Sequence, residues 1–236
     1  MTLAIQLSLA ERLFRTEPSG TGRTVLGRSA APQAAAMMAS VSSPTSRRTR
    51  KDALHNRDRV LDAATELVRS DGERVAMAKI AERAGVGVGT VYRHFATRED
   101  LLGALVHRSF DLAVENAGAA AAHPGSALEG VRLFLLATLR DRERFVLPLH
   151  GGPVIFTPAT RQRQADVRTV LRTLLERGQA AGELRTDLTP EDLIVAASLL
   201  SRALPGAGNW DTLACRQIDL MINGLRPQRL PPANCS

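Results

Sequence analysis

Residues 79–105 read KIAERAGVGVGTVYRHFATREDLLGAL, with three glycines inside five positions. Glycine-rich loops often cradle phosphates, so the first question is whether this one holds a nucleotide. A phosphate loop of the G-x-x-x-x-G-K-[ST] kind needs its lysine, and none follows here. A dinucleotide fingerprint needs G-x-G-x-x-G after a strand. Counted from Gly85, the third glycine is Thr90; counted from Gly87, it is Tyr92. The preceding KIAERAGV also reads as helix rather than strand. The stretch fails both tests.

It fits a helix-turn-helix, two short helices crossing at a turn that often contains glycine. Ala81 is small where the helices approach. Gly85 ends the first helix, where a positive φ is expected. Val86 and Val91 fill the angle between them. An ordinary corner of two helices has the same needs, but it has no reason to expose Thr90, Tyr92, Arg93 and His94 together.

The rest of the chain reads as helical. Its 236 residues are 44% hydrophobic and 3% aromatic, and Leu, Val and Ala supply the core. Val60, Leu61, Ala64, Leu67 and Val68 fall on one helical face, stopped by Asp71-Gly72. Thr97 and Asp100 form a capping sequence for a long helix reaching Ala117 or beyond. His123-Pro124-Gly125 breaks the chain. Leu128, Val131, Leu135 and Leu139 mark the next helix. Pro148, Gly151, Gly152, Pro153 and Pro158 mark an irregular segment. Val167, Val170, Leu171, Leu174 and Leu175 mark another helix. Thr189-Pro190 opens a helix that is apolar nearly all round from Leu193 to Leu200. Ala214, Ile218, Met221, Ile222 and Leu225 form the last stripe, closed by Gly224. The sum is an all-α chain of about nine helices.

Net charge is +7, unevenly placed: residues 1–51 hold 8 Lys and Arg against 2 Asp and Glu. Residues 1–51 read as a disordered basic arm, with two origins open for its opening part. One is an Arg-rich targeting leader; the other is a gene start set too early, with Met37 or Met38 the initiator. Residues 52–97 read as the helix-turn-helix domain, 98–228 as a second helical domain and 229–236 as a tail. No apolar run approaches the ~18 residues of a membrane span. Cys215 and Cys235 have no metal-ligand spacing, which suits a reducing cytoplasm. The five histidines show no metal spacing either, and no G-x-S-x-G elbow occurs. No enzyme, metal or cofactor is expected. Two other classes stay open: a helical small-molecule-binding or structural protein without DNA binding, and an enzyme of unrecognised kind.

The stretches RVLDAATELVRSDG and KIAERAGVGVGTVYRHFATREDLLGAL, with their spacing, resemble the DNA-binding domain of TetR family transcriptional regulators. The resemblance covers residues 58–105 closely, and GELRTDLTPEDLIVAASLL and INGLRP more weakly. It implies a homodimer that binds double-stranded DNA at a palindromic operator, answers to a small-molecule effector, and acts as a repressor in the cytoplasm. On its pattern residues 88–95 enter the major groove. Thr90 and Arg93 would then face bases, Val88 and Gly89 would lie close to the groove, Tyr92 would touch DNA, and His94 and Arg98 would touch phosphates. The sequence departs from the pattern near Ala76 and Met77, where Thr is usual; Lys79 is the nearest replacement charge. It departs again at Gly87-Val88-Gly89, which leaves few side chains to read bases. Arg47, Arg48, Arg50 and Lys51 would add phosphate or minor-groove contacts. Phe110, Phe134, Phe145, His150 and Phe156 are the candidate effector-lining residues.

Overall fold

The computed structural model describes residues 44–150, 152–203, 206 and 208–227. The chain divides into two compact units, residues 1–56 and residues 57–236. Eight α-helices occur among the described residues: α1 (Pro44–Asp71), α2 (Met77–Ala84), α3 (Val88–His94), α4 (Arg98–Ala121), α5 (Ala127–Arg140), α6 (Pro158–Ala180), α7 (Pro190–Leu200) and α8 (Trp210–Gly224). Two single 3-10 turns, Arg142–Arg144 and Pro148–His150, lie between α5 and α6. No described residue is in a strand, and no described helix is long and apolar enough to cross a membrane.

Three boundaries differ from the sequence reading. Helix α1 opens at Pro44, so Arg47, Arg48, Arg50 and Lys51 lie on a helix and not in an unstructured arm. Their segment lacks apolar periodicity, but it also lacks glycine or an interior proline, and Arg and Lys are good helix formers. The remainder of that expected arm, like the 229–236 tail, lies outside the described residues. Helix α6 begins at Pro158 rather than nearer Val167, because Thr157 accepts the Thr160 N–H (3.2 Å) and proline suits the first turn. Helix α7 stops at Leu200, where its apolar run also ends. There the Ser201 hydroxyl turns back to the Ala197 carbonyl (2.7 Å). Finally, the two cores divide inside α4 and not at its start.

The first core gathers Val60, Leu61, Ala64, Leu67 and Val68 of α1 with Ile80, Ala81, Val91 and Phe95, and takes Leu101, Leu102 and Leu105 from α4. The second begins at Val106 and joins α4 to α5–α8. Helices of eight and seven residues are too short to persist alone. What holds α2 and α3 is burial, each enclosed Leu, Ile or Val being worth ~1.5–3 kcal/mol.

Between α5 and α6 the chain forms a strap in which neighbours part company. Phe145 and Leu147 enter the second core, while Val146 between them enters the first. Ile155 packs on the first core and Phe156 on the second. Extended backbone, as at Phe145 (φ −85°, ψ 127°), sends successive side chains to opposite sides. The strap is fastened to α1 by Arg69, whose Nη1 donates to the carbonyls of Arg142 (2.9 Å) and Phe145 (3.2 Å) and whose Nη2 pairs with Glu143 (2.6 Å). Ser109 of α4 accepts the Val146 N–H at 2.9 Å.

Helix starts fall into two kinds. Thr97 with Asp100, Ser126 with Glu129, Thr157, Thr189 with Asp192, and Asn209 supply side-chain caps to α4–α8. Helices α2 and α3 open at Ala76 and Gly87 with no side-chain cap.

Candidate nucleic-acid interface

Helix α2 ends where Gly85 enters the left-handed region (φ 63°) and donates its N–H toward the Ala81 and Glu82 carbonyls. The Val86 N–H also bonds the Ala81 carbonyl, at 3.0 Å. This reversal makes the turn Gly85-Val86-Gly87 possible in three residues. Arg59 of α1 reaches across to donate to the Gly85 carbonyl (3.3 Å). Val91 is fully buried, with 0% of its surface exposed, and Phe95 closes α3 beneath the Arg57 guanidinium, 5.3 Å from its ring centre. Arg57 and Arg59 hold the reading unit in shape. Neither is apparent from sequence, because a surface arginine has no pattern that announces its partner.

With Val91 locked inward, the other face of α3 is fixed outward. Val88, Gly89, Tyr92 and Arg93 are exposed, Tyr92 with 51% of its surface. Core packing, the plainer use for Tyr92, is therefore not its role. Thr90 and His94 are half-buried, and His94 lies tilted against Phe95 at 6.3 Å. The Arg93 Nε donates to the Gly89 carbonyl one turn back (3.2 Å). That bond points the guanidinium along its own helix and leaves both terminal nitrogens of the fork free of it. Lys79 is exposed and paired with Asp71 at 2.5 Å. Arg98 opens α4 behind the Thr97–Asp100 capping box, and its Nε is buried without a partner among the described residues. The side chains of Arg47, Arg48, Arg50 and Lys51 lie outside the described residues.

Gly85 and Gly89 differ in what they do for the fold. A Cβ at Gly85 would meet Arg59 Nη2 at 2.6 Å and would also have to adopt positive φ. A Cβ at Gly89 would meet nothing within 4 Å. An interior helical glycine costs ~0.8–1.0 kcal/mol relative to alanine. No contact with the described residues offsets that cost.

In the second core Phe110, Phe134 and Phe145 are buried together and Phe156 packs against them. His150 is half-buried, stacked on Phe145 with ring centres 5.1 Å apart. A groove of about 510 Å³ runs between α1, α4 and the strap, lined by polar residues that include Asp62, Glu66 and Arg108 rather than by these aromatics. Its charges are largely matched within the protein, Arg108 with Asp62 and Arg83 with Glu66, both at 2.5 Å. No three His, Cys, Asp or Glu gather as metal ligands among the described residues.

A tri-helical unit whose last helix presents an exposed polar and basic face is a helix-turn-helix domain. Comparison with known proteins places it further. Residues 60–105 match the family of bacterial regulatory proteins called tetR, and residues 154–227 match the C-terminal domain of SbtR-like transcriptional regulators. An HTH-type transcriptional regulator of Staphylococcus aureus (strain USA300) is 41% identical over 64 residues, 27% of this chain. The chain spans only about a third (35%) of the length of the curated relatives it matches. The crystal structure of a TetR regulatory protein from Mycobacterium vanbaalenii superposes with a TM-score of 0.56 at 29% identity, covering 76% of this chain and 99% of that one. AibR, solved with isovaleryl coenzyme A and operator DNA, shares the fold (TM-score 0.58, 16% identity, 73% and 98% covered). The chain belongs to the TetR family. That family and these relatives are transcriptional regulators, not enzymes.

Proposed function

We propose that the protein is a ligand-responsive repressor that binds a palindromic operator as a homodimer in the cytoplasm. The carrying observation is the outward face of α3, held by the burial of Val91 beneath Tyr92 and Arg93. Helix α3 enters the major groove. Arg93 pairs with a guanine O6 and N7, and Thr90 and Val88 meet thymine methyls. Tyr92, His94, Lys79 and Arg98 take phosphates. The Lys79–Asp71 pair is exposed, so exchanging Asp71 for a phosphate costs little. Arg98 at the α4 N-terminus opposes the helix dipole, and a docked phosphate reconciles the two. Arg47, Arg48, Arg50 and Lys51 add backbone contacts.

Dimerisation uses α7 and α8. Val195 and Leu199 of α7 and Leu213 and Leu220 of α8 are exposed, Leu199 by 67%. An apolar stripe of this kind on two adjacent helices suits a second copy, and twofold pairing demands half-sites about one DNA turn apart. The effector binds in the helical domain near Phe110, Phe134, Phe145, His150 and Phe156. The ligand and operator DNA present in the AibR structure support this reading. Binding shifts the spacing of the two α3 helices and releases DNA.

A shift assay on duplex DNA flanking the gene tests the reading, with Arg93→Ala as control. Retardation by the wild type and its loss in the variant are expected. No retardation at low salt would overturn it, as would a monomer on gel filtration at micromolar concentration.

A further inference from the structure

His150 is an odd residue for the position it holds. Its own N–H and that of Gly152 both donate to the Leu147 carbonyl, each at 2.8 Å, which closes a tight turn of backbone. The ring lies nearly parallel to Phe145, at 23°, and Phe145 is 1% exposed in the second core. Both ring nitrogens are shut off from solvent and neither has a partner among the described residues. A neutral imidazole carries one donor and one acceptor. Leaving either buried and unpaired forfeits its hydration with nothing in return. Leucine or phenylalanine would stack on Phe145 without that cost. The imidazole is therefore poorly explained by packing alone.

The charges that bear on the ring are cationic: Arg69 from α1 and Arg202 just beyond α7. Burial, with these two charges, lowers its pKa to about 4, so the ring is neutral at ordinary pH. Arg69 is already engaged by two carbonyls and Glu143. Arg202 forms no ion pair with a described residue and is exposed. The surroundings are thus apolar on one side, through Phe145 of the second core, and electropositive on the other.

We propose that His150 receives the polar end of the effector, and that this end is an anionic group, a carboxylate, on an otherwise apolar molecule. The inference rests on the reading of the helical domain as an effector site. The imidazole N–H donates to a carboxylate oxygen while Arg202 supplies the opposite charge. An anion beside the ring also favours its protonation, so binding near pH 6 takes up a proton. The same strap lies on the first core through Val146, which puts the docking point a few residues from the DNA-reading unit's own core.

The test uses the full chain without DNA. Octanoate and decanoate are titrated against octanol and decanol by calorimetry at pH 6, in two buffers of different ionisation enthalpy. The carboxylates should bind on the order of tenfold tighter than the alcohols, as one charge-assisted hydrogen bond allows. Their heats should differ between buffers, by at most the amount one proton requires. His150→Gln should bring the carboxylates to the level of the alcohols and abolish proton uptake. Arg202→Ala, at an exposed position, should weaken carboxylate binding alone and does not depend on the first variant folding. Equal binding of acids and alcohols overturns the anionic end while the effector reading stands. Binding of neither class overturns both.

Discussion

Phe145 and Val146 are consecutive, are both almost wholly buried, and lie in different cores. The chain thereby ties its two cores together within one peptide unit. Val146→Ala removes two buried methyl groups from the first core and should cost about 2 kcal/mol in urea unfolding. An unchanged midpoint would show that the site is not packed as described.

Gly152→Ala should be worse than its size suggests. The added Cβ would stand 2.7 Å from the Val146 carbonyl carbon and 2.9 Å from the Leu147 nitrogen. These are backbone atoms and cannot swing aside. A destabilisation of ~1–3 kcal/mol is expected, the usual range for overpacking. A variant as stable as the wild type would mean that the turn at Leu147 opens easily.

Gly89→Ala should move stability and DNA affinity in opposite directions. Its Cβ meets open space within the protein, so unfolding should show a gain of ~0.5–1 kcal/mol. If Gly89 makes room for DNA, the same variant should bind its operator more weakly. Unchanged affinity would remove Gly89 from the interface.

Arg93 and the basic segment of α1 should be separable by salt. Arg93→Ala should cost ~1–3 kcal/mol and relax preference at one base pair. Replacing Arg47, Arg48, Arg50 and Lys51 by alanine should weaken binding to all sequences alike. The slope of log K against log salt should flatten by ~0.9 for each phosphate that is no longer neutralised. An unchanged slope would rule out a role for these four side chains at the DNA backbone.

His150 predicts a definite sign for the effect of acid. Its folded pKa of about 4 lies below the ordinary histidine value of 6.5, so between those pH values the unfolded chain binds the extra proton. Stability should rise with pH across that window, being fully present above 6.5 and falling away as pH drops toward 4. Urea midpoints should fall more steeply between about pH 6.5 and about pH 4.5 in the wild type than in His150→Gln. Parallel curves would exclude the imidazole as the source.

The helical periodicities were legible because each states which face is buried, and the stripes of α1, α5, α6 and α8 lie inward as read. The turn at Gly85 was legible because only one residue type adopts its backbone cheaply. What escaped were relations between distant positions. Nothing near Arg69 in sequence points to carbonyls more than seventy residues away, and nothing in an apolar run shows that Phe145 and Val146 serve separate cores. The start of α1 escaped for another reason: a charged stretch without apolar residues carries no periodic signal, whether helical or not. The same holds at the interface. The residue types of α3 were readable, whereas the bond from Arg93 to Gly89 needed coordinates.

Helices α2 and α3 are the shortest of the eight and open without side-chain caps, and α3 also carries a glycine inside it. Every later helix closes its first turn with its own chemistry. On warming, the reading unit should therefore fray while the long helices of the second core still hold. Recognition of DNA would then have a lower thermal limit than the protein itself, and the operator, by clamping those two helices, would raise it.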